Sequence, residues 1–533
     1  MKAGEYLTRL LACYGVDCVF GIPGVHTLEL YRALDSVPIR HVSPRHEQAA
    51  GFMADGYARR SGKPGVCFII SGPGMTNCIT AMGQAYADSV PMLVVSTVNS
   101  HGRMGSGDGW LHELPDQSSL VSGVCAFSHT VHDAREITQV VARAFAVFDA
   151  ARPRPVHIEI PINVLNQDIQ ASPPSAVTRI ACPVPGCEAI QLAAQWLAGA
   201  ELPVLLAGGG ARHAHSLVTR LAELIDAPTV MTVNGRGIVP AGHPLAVGAS
   251  ASLPAVRHLL QEADVVLAIG TELGATDYDF NEDGGFHLPG RLIRIDVDVQ
   301  QMVRTRIPEL PLAGDAQAGS QALLDALLRH LPRSNRRSGM QRVEDCRQQV
   351  SQNLATRDTH YLRLLEAIRD TLPGVCIVGD STQIIYAGNS AFASKTPSSY
   401  FNSATGFGTL GYALPAAIGA VIADSDSPVV AIIGDGGLQF SLAELSTAID
   451  AGTSLLLIVH RNGGYAEIRK CMRSADIQPV GVDLMVPELS AIASACHWQY
   501  RKPLSIESLV EDLHGAQDSA LPTLVLLDDE LFN

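Results

Sequence analysis

Two oxygen-bearing side chains follow two apolar runs at a set separation. Val429-Val430-Ala431-Ile432-Ile433 ends in Gly434-Asp435-Gly436-Gly437, and the run Leu455 to Val459 ends in Arg461-Asn462-Gly463-Gly464-Tyr465, which puts Asp435 and Asn462 27 residues apart. That is the length a tight strand, helix, strand unit needs before the chain returns beside its own start. Both side chains then stand at the carboxyl ends of parallel strands, the edge where doubly wound sheets bind ligands. One carboxylate, one amide oxygen and a backbone carbonyl can hold Mg2+ when a diphosphate supplies the remaining oxygens. The glycines let amide groups and a helix start come close to phosphate. Two ordinary turns would explain either segment alone, and the spacing is what joins them. Another chemical candidate is Glu47 in Arg45-His46-Glu47-Gln48-Ala49-Ala50, which opens a helix of small residues through Met53-Ala54-Asp55-Gly56-Tyr57-Ala58. By itself, such a Glu is a favourable charge at a helix start.

The elements that must position these groups are legible as apolar runs alternating with helical patterns. Val66 to Ile70, Met92 to Ser96, Pro203 to Ala207, Val265 to Ile269 and Val429 to Ile433 are continuous apolar runs of strand length. Such runs read as parallel strands buried on both faces. Between them, Leu364, Leu365 and Ile368 fall on one face of a helix. The order predicts an α/β chain of three doubly wound parallel-sheet domains. Two segments interrupt it: Gln167 to Gly186, with four prolines, and the polar Pro332 to Thr359. Read as linkers, they divide the chain into an N-terminal domain over 1–170, a central domain over 186–332 and a C-terminal domain over 355–533.

Composition narrows the partners. With 533 residues, 47% hydrophobic, 17% charged and 48 glycines, the chain reads as a globular multidomain protein. A formal charge of -15 without a basic run speaks against nucleic acid, which is bound through Lys and Arg on phosphate. No signal-like start and no stretch of about 18 apolar residues is present, so the expectation is no membrane and a cytoplasmic location. Eleven scattered cysteines without a Cys-x-x-Cys pair indicate neither a disulfide framework nor a zinc site.

These motifs together resemble one family. Gly434-Asp435-Gly436 with Asn462 resembles the diphosphate-binding motif of thiamine diphosphate enzymes of the pyruvate decarboxylase and acetohydroxyacid synthase superfamily. The resemblance implies that Asp435, the Asn462 side chain and the Gly464 carbonyl hold Mg2+, with Gly434, Gly436, Gly437 and Tyr465 around the diphosphate. One departure is Arg461, where relatives often carry a first Asn. Arg45 to Ala50, Gly56-Tyr57-Ala58-Arg59, Ser71-Gly72-Pro73-Gly74 and Asn77 resemble the pyrimidine-binding domain. Glu47 would bond the pyrimidine ring nitrogen and promote loss of the thiazolium C2 proton, with Pro23 and Asn77 also at the cofactor. Gly406 to Ala417 is similar to the segment that bends the cofactor, with Leu410 as the wedge and the Gly408 carbonyl accepting the exocyclic amine. Gly379-Asp380-Ser381-Thr382-Gln383 would add Ser381 and Thr382. The central block, with Leu206 to Gly210 and Leu292 to Asp296, is similar to the family's central domain, which binds FAD in some relatives; here its sequence leaves FAD undecided and not favoured. In the family the residues matching Glu47 and Asp435 meet across subunits, implying a homodimer at least and an expected homotetramer.

Specificity is read from the pocket. In Phe20-Gly21-Ile22-Pro23-Gly24-Val25-His26, the residue after Pro-Gly is Val25, where relatives place Ser, Asp or Gly. The acid/base candidates are then His26 and His112, with Gln117 at a position where relatives carry a cofactor-side Gln. The segments Trp110 to Gln117, Ala126 to Thr130, Ile22 to His26 and Gly464 to Ile468 look closest to 5-guanidino-2-oxopentanoate decarboxylases, which convert 2-ketoarginine to 4-guanidinobutanal and CO2. Glu467, beside Val25 and His26 as substrate-facing candidates, and further Asp108, Glu113 or Asp116, could pair a planar cation. A solvated helix Glu is the plainer account of Glu467. Two other classes stay open: an acetolactate synthase-like carboligase and a non-catalytic regulatory paralogue.

Overall fold

The computed structural model describes residues 1–170, 173–175, 179–280, 282–330, 336–517 and 519–532. The expected boundary at 332, parts of both linkers (171, 172, 176–178 and 332–335) and the terminal residue 533 lie outside these. The chain carries three all-parallel sheets of six, five and six strands, the α/β class that alternating apolar runs and helices predict. Among the described residues no helix is long and apolar enough to cross a membrane.

The contacts gather into two compact units. One comprises Met1–Ile180, Gly406–Lys502 and Ala516–Leu527. Its complete sheet runs in the order Arg40–Val42, Cys18–Phe20, Gly65–Ile69, Met92–Val98, Pro155–Pro161, Phe127–Thr130. Gly65–Ile69, Met92–Val98 and Pro155–Pro161 are buried along their whole length, which is why they read as unbroken apolar runs. Val429–Gly434 and Leu456–Arg461 pair in parallel in the same unit, with Gly434 opposite His460.

Two helices of small residues cross closely in this unit. Glu47–Ser61 ends at Gly62, whose φ of 72° is the left-handed cap that stops a helix. It lies against Ala413–Ala423. A Cβ on Gly56 would stand 2.0 Å from the Ala416 carbonyl oxygen, and one on Gly419 would stand 2.0 Å from that of Met53. Only glycine permits backbone that close.

The other unit comprises Ala181–Thr405, Pro503–Gly515 and Asp528–Asn533. Its five-stranded sheet has the order Leu310–Ala313, Arg291–Asp296, Val265–Ile269, Pro203–Ala207, Thr229–Met231. The glycines of Leu206 to Gly210 serve packing: a Cβ on Gly208 would meet the Gly270 oxygen at 2.3 Å. The polar segment Pro332 to Thr359 proves to be more than a connector. It contains the helix Gly339–Asn353, which buries Val343, Cys346 and Val350 in the apolar cluster with Val256, Leu259 and Leu260. Three apolar residues at helical spacing in a run of Arg, Gln and Glu are too few to stand out as a periodic stripe.

Candidate active site

Asp435 is almost fully buried at the end of Val429–Gly434. Its carboxylate accepts the amides of Gly436 at 2.8 Å, Gly463 at 2.9 Å and Gly464 at 3.1 Å. Gly463 and Gly464 adopt φ of 82° and 97°, a region open to glycine. A Cβ on Gly464 would also meet the Val482 carbonyl oxygen at 2.5 Å. Half-buried Asn462 follows directly on Leu456–Arg461, so Asp435, Asn462 and Gly464 share one sheet edge. A Cβ on Gly436 would stand 3.1 Å from the Tyr465 ring and 3.2 Å from the Gly464 oxygen. This edge, built of bare backbone and one carboxylate, has the donor and acceptor types that suit a diphosphate with its divalent cation. A single helical turn runs from Asp435 to Leu438, and the longer helix that follows is Glu444–Asp450. In the other unit Thr382 is the N-cap of Gln383–Ala391. Its buried hydroxyl has no hydrogen-bond partner among the described residues, and Ser381 beside it is half-buried. An orphaned hydroxyl of this kind fits a ligand that brings its own polar atoms.

Glu47 opens its helix half-buried, and His46 caps that helix by accepting the Gln48 amide at 3.1 Å. One Glu47 oxygen accepts the Asn77 side-chain amide at 2.9 Å. The other lies 3.3 Å from where a Cβ on Gly74 would be. A glycine at 74 therefore leaves room beside that carboxylate oxygen.

The loop after Cys18–Phe20 carries exposed Pro23, Val25, which is 67% exposed, and half-buried His26. His26 Nδ1 and the Ser71 hydroxyl lie 2.5 Å apart, and the His26 and His112 rings meet edge to face at 5.1 Å. Burial, and then the neighbouring His112, lower the His26 pKa, favouring the neutral imidazole. His112 has a φ of 60° and a buried Nδ1 without a hydrogen-bond partner among the described residues. Gly72, with φ 65°, presses on it: a Cβ there would stand 2.6 Å from the His112 carbonyl oxygen.

Gln117 is buried beneath that turn. Its oxygen accepts the Gly72 amide at 2.8 Å, and its nitrogen donates to the Thr97 carbonyl at 2.9 Å, the Ser96 hydroxyl at 3.1 Å and Glu159 at 3.1 Å. Its amide therefore braces the Ser71-Gly72 turn from below. Ser96, His157 and Glu159 complete this network and were not singled out from the sequence. The available signal was a His and a Glu inside the otherwise apolar strand Pro155–Pro161. Burial raises the Glu159 pKa and pulls that of His157 down to about 3.

Leu410 is half-buried between Gly408 and Gly411, whose φ angles are 78° and 77°. Glu467, in the first turn of Ala466–Ser474, lies 3.4 Å from Lys470, its side chain 35% exposed. Of the other acids, Glu113 gathers the amides of Gly107, Gly109 and Trp110, and Asp116 caps Gln117–Val121 through Ser119. Both are engaged in shaping their own loop. Asp108 is exposed.

The sheets and this glycine-lined carboxylate edge define a cofactor-dependent α/β enzyme. The chain belongs to the thiamine pyrophosphate enzymes: the family profiles for their N-terminal TPP binding domain, central domain and C-terminal TPP binding domain match residues 1–120, 190–327 and 375–527. It is 44% identical over 532 residues to a Pseudomonas aeruginosa protein named probable 2-ketoarginine decarboxylase AruI, covering 99% of this chain and 94% of that one. It is also 30% identical over 465 residues to the large subunit of acetolactate synthase isozyme 1 of Escherichia coli, covering 86% and 81% of the two chains. A Methanocaldococcus jannaschii protein named probable acetolactate synthase large subunit is 30% identical over 486 residues, with 87% and 80% covered.

Proposed function

We propose that this protein decarboxylates a 2-oxo acid without oxidation, and that its substrate is 5-guanidino-2-oxopentanoate, which yields 4-guanidinobutanal and CO2. The observation that carries the reaction is the Asp435 carboxylate held by three glycine amides beside Asn462 and the Gly464 carbonyl. In this reading Asp435, Asn462 and Gly464 hold Mg2+, and Gly434, Gly436, Gly437 and Tyr465 surround the diphosphate. Thiamine diphosphate, when bound, supplies the sink for the electron pair left as CO2 departs. Glu47 holds a proton at the pyrimidine end, with Asn77 fixing its carboxylate. Pro23, Ser381, Thr382, the Gly408 carbonyl and Leu410 complete the cofactor's surroundings, and Gln117 supports the turn beneath the substrate. His26 or His112 delivers the proton that each aldehyde product takes up. Val25 offers no proton, and its apolar side chain lines the substrate side. The full-length likeness to a protein named for 2-ketoarginine supports the guanidinium substrate, with Glu467 as its carboxylate partner. We further propose a cytoplasmic homodimer or homotetramer, with Glu47 of one subunit serving the same cofactor as Asp435 of the next.

The likeness to acetolactate synthases favours one rival, a carboligase that passes the decarboxylated fragment to a second oxo acid. One experiment separates the two. Purified enzyme receives thiamine diphosphate and Mg2+, and CO2 and aldehyde are followed over a panel of 2-oxo acids. Equal CO2 and 4-guanidinobutanal from 2-ketoarginine is the expected result. Release of CO2 from pyruvate with an acetohydroxy acid in place of aldehyde would replace this reading with the rival.

A further inference from the structure

The segment that carries Leu410 is pinned at both of its ends to one buried ionic cluster. The Thr409 amide donates to Gln84 Oε1 at 3.4 Å, and the Tyr412 hydroxyl donates to Asp55 at 2.5 Å. Gln84 Nε2 in turn donates to Asp88 at 2.7 Å. Arg59 joins the two arms, with Nε 2.6 Å from Asp55 and Nη2 2.6 Å from Asp88. Asp55, Gln84 and Tyr412 are wholly buried, and the Arg59 and Asp88 side chains are 9% and 3% exposed. The Tyr412 ring packs edge to face on Phe52 at 5.3 Å. Both Asp55 and Arg59 lie on Glu47–Ser61, the helix that Glu47 opens.

Such a cluster is an expensive way to fill a core. Two carboxylates and a guanidinium taken out of water gain little over well-packed apolar side chains of the same volume. Directional hydrogen bonds do confer something apolar contacts do not, because they set where a group stands and do not let it slide. The segment they hold needs that, since Gly408 and Gly411 on either side of Leu410 are left-handed and free of side chains. Burial raises the Asp55 pKa, and its Oδ2 has no hydrogen-bond partner among the described residues, so loss of the Tyr412 hydroxyl would be felt at once.

We propose that Asp55 and Arg59 are positioning residues for the cofactor wedge: through Tyr412 on one side and Asp88 with Gln84 on the other, they fix the place of Leu410. This rests on the reading above in which Leu410 meets the cofactor. Two mild variants test it. Tyr412→Phe keeps the ring on Phe52 and removes one pin, and Arg59→Lys keeps the charge but cannot bridge both carboxylates. Amide hydrogen exchange in peptides covering 406–412, measured without cofactor, is expected to quicken at least tenfold in each variant, while peptides covering 429–434 exchange as in the wild type. With thiamine diphosphate and Mg2+ added, kcat is expected to fall about tenfold while KM for the 2-oxo acid changes less than twofold. Wild-type exchange over 406–412 in both variants overturns the proposal, and so does a loosened segment with unchanged kcat. Leu410→Ala is the separate control: if it leaves kcat and the near-ultraviolet dichroism of the bound cofactor untouched, Leu410 is not the wedge and the reading above fails. Faster exchange in Tyr412→Phe would still establish the clamp.

Discussion

The carboxylate of Asp435 accepts the backbone amide of Gly464 at 3.1 Å across 29 residues of chain. This contact ties two strand ends, and Asp435 holds the loop that presents Asn462 and the Gly464 carbonyl. A change at Asp435 therefore acts on the proposed metal twice, through a lost ligand charge and through a loosened loop.

Asp435→Asn preserves an oxygen for one glycine amide and removes the negative charge. We expect it to fold with a Tm within a few degrees of the wild type, and to lose the rise in Tm on adding thiamine diphosphate and Mg2+, since a ligand stabilises only a state it binds. Differential scanning fluorimetry with and without cofactor gives the answer. A wild-type shift would remove Asp435 from the metal.

Glu47→Gln leaves an oxygen able to accept the Asn77 amide, so packing and much of the cofactor affinity should persist. Exchange of the cofactor C2 proton, followed by NMR in deuterated buffer, should slow by about 100-fold or more, because the lost contribution is proton transfer. Unchanged exchange would reduce Glu47 to a helix-terminal charge.

Glu467 stands in the first turn of its helix, 3.4 Å from Lys470. Contact at that distance between part-exposed groups holds the carboxylate weakly, leaving it able to turn to a guanidinium. Glu467→Ala should lower kcat/KM for 2-ketoarginine by about tenfold or more, equivalent to about 1.4 kcal/mol of lost discrimination, and should leave 3-methyl-2-oxobutanoate almost unaffected. Identical activity ratios for the two substrates in variant and wild type would withdraw the role.

His157 joins Ser96 and Ser128 at 2.7 Å each while wholly buried, and burial lowers its pKa from 6.5 to about 3. Between those values the unfolded chain binds a proton that the folded one does not, so stability rises with pH there. The contribution is complete above about 6.5 and is lost as pH falls towards 3. His157→Asn, which can still bond at least one serine, should show a flatter fall of Tm between pH 6.5 and 4.5 than the wild type. Parallel curves would mean that another group governs acid stability.

The sequence alone determined the α/β class, the fully apolar buried strands such as Val265–Ile269 and Val429–Gly434, and the residues of the carboxylate edge. Each depends on a short-range rule: apolar runs of strand length, and a return length that brings Asp435 and Asn462 to neighbouring strand ends whatever the rest of the chain does. Glu47 was legible as a charge in the first turn of a helix, and its role came only from the resemblance of the motifs around it. The helix Gly339–Asn353 was not, because its three buried residues are hidden in a charged run. Only the tertiary structure showed that Gln117 is spent bracing Gly72, that Ser71 meets His26, and that Tyr412 reaches Asp55 357 positions away. Those contacts depend on how side chains from separate strands and helices point into one core, and no spacing along the chain encodes that direction.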